Sequence, residues 1–262
     1  MANLAPQYKV SCIREGTMDL RVVLITGSGS GMGLAVARRL AASDVHLVIA
    51  DRREQLVSAA LDELRPVVHS AQGFVADVTR SAAVEDLIDS VYSTYGRLDV
   101  LVNVVGGIVG DVTTEFWNID DEAWDGTLRV NLSSAFYSMR AAGRRMREQG
   151  FGRIVNTSSV AWAGDAARAH YSAAKAGLVA LTRSASDALA PFGVTVNAVA
   201  PGRTDTGFGG RTDVELPDSP PPTGRRNQPA DVAEAVAYLV GPNSGQVSGQ
   251  LIVVAGGRNP AL

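Results

Sequence analysis

Apolar residues in this chain fall into short unbroken runs, separated by stretches with helical spacing. The run at 21–26 (RVVLIT) precedes a helical pattern over 32–42, and 46–50 (HLVIA) precedes one over 53–64. A strand over 73–77 then leads to a helix over 81–95, and 99–105 (DVLVNVV) to a long helical stretch over 121–148. The series closes with strand 153–158, helix 169–189, strand 194–200, helix 229–239 and strand 251–254. Unbroken rather than alternating runs are what strands covered on both faces require. Alternation with helices predicts right-handed βαβ units, hence an α/β fold with a doubly wound parallel sheet of about seven strands and helices on both faces. Residues 1–19 show no period and are expected to form a flexible extension. Residues 20–262 are expected to form one domain, with a lid at about 204–227 over its ligand.

Composition narrows the function. The 262 residues hold 24 basic and 27 acidic side chains, a formal net charge of −3. That leaves no basic excess to neutralise nucleic-acid phosphates. The single cysteine, Cys12, makes no internal disulfide, and His46, His69 and His170 are too scattered for a metal site. The longest apolar stretch, 100–110, is short of a membrane span and is broken by Asn103. A soluble, cytoplasmic protein acting on a small molecule is the expectation, with no metal, nucleic-acid or membrane partner.

The segment Thr26-Gly-Ser-Gly-Ser-Gly-Met-Gly33 joins the first strand to the first helix. Glycines there permit a tight turn and close approach of phosphates, while the helix N-terminus offers free N–H groups. Gly27, Ser30, Gly31, Met32 and Gly33 are the expected contacts, in a Rossmann-type arrangement. Asp51 ends the second strand, where a carboxylate accepts from a ribose 2′-hydroxyl and repels a 2′-phosphate. NAD(H) is favoured on that ground, although Arg52 and Arg53 follow directly and an arginine here can clasp a 2′-phosphate. No Gly-Lys-Ser/Thr follows the loop, so a P-loop is excluded, and no Gly-x-Ser-x-Gly occurs for a hydrolase elbow.

Twenty-two of the 24 basic residues are arginine; the lysines are Lys9 and Lys175. Lys175 lies one helical turn after Tyr171 in Tyr-Ser-Ala-Ala-Lys, so phenol and ammonium share a helix face. A fixed cation favours the phenolate, which could then exchange a proton with an alcohol or carbonyl oxygen during hydride transfer.

With these motifs together, the chain closely resembles the short-chain dehydrogenase/reductase family in its single-domain form, from about residue 20 to 257. The family's TGxxxGxG loop matches Thr26–Gly33, and its adenine-side Asp-Val matches Asp77-Val78. Its Asn-Asn-Ala-Gly element stands as Asn103-Val-Val-Gly106, without the middle pair. Pro201-Gly202-Arg203-Thr204-Asp205-Thr206 matches the segment that lies against the nicotinamide. The resemblance implies a catalytic tetrad of Asn131, serine, Tyr171 and Lys175, with Asn131 holding a relay water and Lys175 also holding ribose. It further implies a homo-oligomer, commonly a tetramer built through long helices.

The serine is open between neighbours. The family's usual spacing before the tyrosine lands on Ser158, whereas strand alignment selects Ser159, which is favoured because loop length varies more readily than strand phase. His170 is expected at the cleft rim or surface. Trp162 and Phe208 are expected to touch substrate, and Trp117 and Trp124 to pack or form an interface. The resulting reading is an NAD(H)-dependent interconversion of secondary alcohol and ketone, with a cyclic or aromatic alcohol preferred to a sugar. The alternatives are an NADP(H)-dependent ketoreductase with Arg52 on the 2′-phosphate, and a non-catalytic dinucleotide-sensing regulator.

Overall fold

The computed structural model describes residues 20–42, 44–206 and 220–258. The expected extension at 1–19 and most of the expected lid, with Phe208, lie outside them. Seven strands form one parallel sheet in the order β3-β2-β1-β4-β5-β6-β7. They are β1 (Arg21–Thr26), β2 (Val45–Asp51), β3 (Ser70–Val75), β4 (Val100–Asn103), β5 (Gly152–Thr157), β6 (Val194–Pro201) and β7 (Leu251–Val254). The helices are α1 (Gly31–Leu40), α2 (Glu54–Leu64), α3 (Ser81–Tyr95), α4 (Asp121–Leu128), α5 (Ser134–Gln149), α6 (Ala169–Leu189) and α7 (Pro229–Val240). The order reverses between β1 and β4, which opens a crevice beyond their carboxyl ends where ligands bind in such sheets.

Two apolar layers sandwich the sheet. Val23, Ile25, Leu47 and Ile49 meet α1, α2 and α7 through residues such as Val36, Val57 and Val236. Val22, Leu24, Leu101 and Ile154 meet α3, α5 and α6 through Leu87, Met139 and Leu178. Successive side chains of a strand point to opposite faces, so both sets must be apolar, which is why the runs are unbroken.

Three boundaries differ from the sequence expectation. Strand β3 begins and ends earlier than expected, because pairing to β2 from His46↔Ser70 to Asp51↔Val75 sets its extent. Gly73 lies inside it because a Cβ there would stand 2.4 Å from Val57 Cγ1 on α2. Strand β4 is confined to Val100–Asn103. The helix expected over 121–148 is interrupted by a π-helical turn, Arg129–Ser133, between α4 and α5. Such single turns widen the helix by one residue and recur at functional sites.

At the amino end of the sheet, Asp99 is fully buried. Its carboxylate accepts from Val22 N at 2.8 Å, from Arg97 Nη2 at 2.8 Å and from Gln149 Nε2 at 3.1 Å. Tyr92 donates to the same Gln149 at 3.2 Å, and burial, with the Asp99 charge, pushes its phenol up to about 12. This cluster ties β1, β4, α3 and the end of α5 together. Replacing Asp99 by Ala removes the Arg97 ion pair and leaves the buried Val22 N–H without its acceptor. Urea unfolding of D99A is expected to show a loss of about 1–3 kcal/mol, whereas an exposed-carboxylate control such as Glu122→Ala stays within about 0.5 kcal/mol of the parent.

Candidate active site

The glycine loop packs more tightly than a flexible turn would. Gly27 and Gly31 have φ of 70° and 54°, in the left-handed region that favours glycine. A Cβ on Gly33 would lie 2.0 Å from Gly27 O, so helix α1 sits directly against the loop backbone. Ser28 donates to Ile25 O at 2.8 Å and accepts from Ala50 N at 3.0 Å, pinning the turn between β1 and β2. Ser30 is the α1 N-cap, and its side chain makes no capping bond. First-turn N–H groups of a helix lack intrahelical partners, so the stretch through Met32 presents a positive terminus suited to a pyrophosphate. The free N–H groups of that terminus fit such a group.

Asp51 lies at the end of β2, buried. Its carboxylate accepts from Arg53 Nε at 3.0 Å and Arg53 Nη2 at 3.3 Å, and Arg53 Nη2 also reaches Ser30 Oγ at 3.4 Å. Arg52 points to solvent. Arg53, which sequence reading noted only beside Arg52, is thus the arginine held between the second strand and the glycine loop. Asp77 accepts from Thr79 N and Oγ1 at 3.0 and 2.7 Å, forming a turn beyond β3, and Val78 is buried beside it.

Asn103 is committed inside the sheet. Its Nδ2 donates to Asn156 Oδ1 at 2.9 Å, while Asn156 Nδ2 donates to Thr182 Oγ1 at 3.0 Å. With Thr26 Oγ1 donating to Asn103 Oδ1 at 3.4 Å, these side chains make a buried polar row across β1, β4, β5 and α6.

The row ends close to the constellation on α6. Lys175 is 2% exposed, and its Nζ donates to Thr157 O at 2.7 Å. Ser158 returns the link by donating to Lys175 O at 3.1 Å. The two neighbouring serines therefore differ: Ser158 is buried under α6, whereas the Ser159 hydroxyl faces the Tyr171 phenol. Ser159 also accepts from Ala161 N at 3.3 Å at the head of a short 3-10 turn. Asn131, in the π turn, donates to Gly107 O at 2.6 Å and Thr127 O at 2.8 Å, and accepts from Gly107 N at 3.1 Å. Its amide thereby clamps the segment after β4. Gly106 must be glycine, since a Cβ would stand 2.8 Å from Asn131 Oδ1 and 3.0 Å from Lys175 Nζ.

Burial dominates the titration of this pair. It pushes the Tyr171 phenol up, with Ser159 hydrogen bonding and the Arg168 charge pulling the other way. Desolvation brings Lys175 down to about 7. The Lys175 ammonium stands 5.5 Å from the Tyr171 ring centroid, and Arg168, paired with Asp165, is a second nearby cation that the sequence did not single out. Pro201 ends β6, Gly202 N donates to Val254 O at 2.8 Å, and Thr204 bridges to Asn227. Thr206 follows at the limit of the described residues.

Two sequence expectations are corrected. His170 is 1% exposed rather than at the surface, because the second residue of α6 faces inward beneath the crossover between β4 and α4. Trp117 is 78% exposed, which removes packing within the chain and leaves the interface alternative.

Lys175 also has a consequence for stability. The unfolded chain keeps its proton up to the ordinary value near 10.5, whereas the native chain sheds it at about 7. Stability carried by this group is therefore fully present above the unfolded value and is lost as pH falls through the native one. Urea unfolding without dinucleotide is expected to show the parent gaining on Lys175→Met, by on the order of 4 kcal/mol, between about pH 7 and about pH 10. A pH-independent difference between the two proteins would contradict the burial argument.

A family profile described as Enoyl-(Acyl carrier protein) reductase matches residues 27–259. The chain is 39% identical over 246 residues to the (2S)-[(R)-hydroxy(phenyl)methyl]succinyl-CoA dehydrogenase subunit BbsD of Thauera aromatica, covering 91% of this chain and 96% of that one. Among solved structures, an NAD+-bound xylitol dehydrogenase superposes with a TM-score of 0.84 at 30% identity, covering 92% of this chain and all of that one. A single-substitution variant of actinorhodin polyketide ketoreductase with NADPH gives 0.82 at 35% identity, covering 92% and 98%. The relatives are named as dehydrogenases and reductases, and the alternation, the glycine loop and the Tyr171/Lys175 turn agree with them. The chain belongs to the short-chain dehydrogenase/reductase family and is an oxidoreductase of that family.

Proposed function

We propose that the protein interconverts a secondary alcohol and a ketone with NAD(H), and that Tyr171 is its acid/base. The observation that carries this reading is the meeting of the Tyr171 phenol, the Ser159 hydroxyl and the buried Lys175 ammonium at the first turns of α6. When bound, the nicotinamide supplies the hydride acceptor or donor. The chain's own residues supply the rest. Ser159 orients the substrate oxygen beside Tyr171, whose own oxygen takes or returns the carbinol proton. In its protonated form Lys175 carries the adjacent positive charge, and it reaches the ribose, while Asn131 secures the relay toward solvent by holding the Gly107 backbone. Gly27, Ser30, Gly31, Met32 and Gly33 receive the pyrophosphate, Asp51 the adenosine ribose, and Asp77 and Val78 the adenine edge. Asn103 and Gly106, then Pro201 through Thr206, border the nicotinamide.

The NAD(H) preference rests on the buried Asp51 carboxylate. A specific observation favours the NADP(H) reading as well: Arg53 already touches both Asp51 and Ser30, so rotation off the carboxylate would bring a guanidinium to a 2′-phosphate. The relatives include both cofactors. A cyclic or aromatic alcohol is the proposed substrate class, in keeping with the hydroxy(phenyl)methyl group in the Thauera relative's name.

Paired titrations with NADH and NADPH test the scheme. The parent should bind NADH at least about tenfold more tightly, a difference of about 1.4 kcal/mol, and Asp51→Ala should erase that margin. Arg53→Ala should leave NADH binding intact and weaken NADPH. Tyr171→Phe should bind NADH normally yet lose about 10²–10⁴-fold in turnover of secondary alcohols. NADPH preference in the parent transfers the assignment to Arg53, and unchanged turnover in Tyr171→Phe removes the proposed acid/base.

Assembly follows from the same helices. Leu132, Phe136, Gly177, Ala180 and Leu181 line an open groove of about 460 Å³ across α5 and α6, without a charged side chain. We take its occupant to be the same face of a second copy, since an isologous pairing is self-complementary. Light scattering should then show Phe136→Glu shifted to a smaller species than the parent.

A further inference from the structure

The first turn of α6 carries a second polar feature that the hydride-transfer scheme does not use. His170 is buried, and neither ring nitrogen has a protein partner among the described residues. Buried polar groups are rarely left unpaired, since each costs about 1–3 kcal/mol. The imidazole lines a cavity of about 150 Å³ with Asp111, Thr114, Asn118, Asp120 and Ala123. Asp111, Asn118 and Asp120 stand exposed at its rim, and His170 is its buried wall. Thr114 N donates to Ala167 O at 2.9 Å, so the crossover that forms the rim is fastened to the approach to α6.

The crossover that forms the rim is acidic, while Arg168 on the α6 side is paired with Asp165. Between Gly107 and Leu128 the chain carries Asp111, Glu115, Asp120, Asp121, Glu122 and Asp125, with no lysine or arginine. Phe116, Trp117 and Trp124 are exposed in the same segment. Carboxylates are acceptors only, and a neutral imidazole offers one acceptor nitrogen. Ile119 and Ala123 add an apolar lining for the methylenes of a ligand. Among the described residues no three His, Cys, Asp or Glu side chains converge as metal ligands. A small organic cation with N–H donors matches acceptors, lining and volume together, since the space accommodates about five water-sized groups.

We propose that this cavity is a binding site for a small primary alkylammonium ion, separate from the carbinol site. One N–H of the ligand donates to His170, the others to the Asp111 and Asp120 carboxylates, and its alkyl part lies along Ile119 and Ala123. An occupant joins the crossover to the turn that bears Tyr171, and so braces one wall of the cleft.

Nuclear magnetic resonance of the full-length protein tests this directly, because the chain has three histidines and single variants assign them. Ethanolammonium chloride is titrated at constant pH, with ethylene glycol and sodium chloride as controls. The expected result is a saturable shift of the His170 ring signals alone, absent with both controls. In the surface variant Asp111→Asn/Asp120→Asn, half-saturation should need about fivefold more ligand or greater. No shift, equal shifts at all three histidines, or an unchanged midpoint in the double variant overturns the proposal. NADH binding measured on the same samples reports separately on the dinucleotide site, so failure of one reading is distinguishable from failure of the other.

Discussion

A buried ammonium held by a strand-end carbonyl organises the carboxyl edge of this sheet. Lys175 donates to Thr157 O at the end of β5, and Ser158, the next residue, donates back to Lys175 O. This reciprocal pair locks strand to helix at the point where Ser159 and Tyr171 emerge. It also dictates neighbours: Gly106 has no room for a side chain, and Asn131 uses its amide to hold Gly107 in place. Desolvating an ammonium is costly, and the downward displacement of its titration is the measure of that cost. The chain thus concentrates its strain where proton exchange is proposed.

Much of this architecture was readable from the residues. Two-sided burial writes itself as unbroken apolar runs, and the helices over 81–95 and 169–189 coincide with α3 and α6. The glycine loop and the Tyr171/Lys175 spacing are local, so the sequence carries them openly. Features set by distant partners were not readable. The extent of β3 depends on β2, and the π turn at Arg129–Ser133 contains no proline or glycine to announce it. Burial of His170 depends on a crossover some fifty residues earlier in the chain. Likewise, nothing local distinguishes Arg52 from Arg53; only the fold turns one to solvent and the other onto Asp51.

The active-site region joins two kinds of surface. On one side, the glycine loop packs against its own helix, with no room for a Cβ at Gly33 or Gly202, and the α1 N-terminus supplies free N–H groups. Opposite them, the segment from Gly107 to Leu128 carries carboxylates and exposed rings. Backbone clefts favour phosphates, whereas acidic aromatic surfaces disfavour them.

The polar row of Thr26, Asn103, Asn156 and Thr182 runs through otherwise apolar layers. Its bonds exist in only one alignment of β4 against β5, the one that sets Asn103 opposite Asn156. Sliding either strand by one position turns its asparagine to the other face and strands both amides among hydrocarbon. Apolar contacts alone discriminate weakly between such alignments, because valine, isoleucine and leucine substitute for one another. The row therefore acts as a key to the alignment of the sheet: an interlock that penalises any other register of β4 against β5.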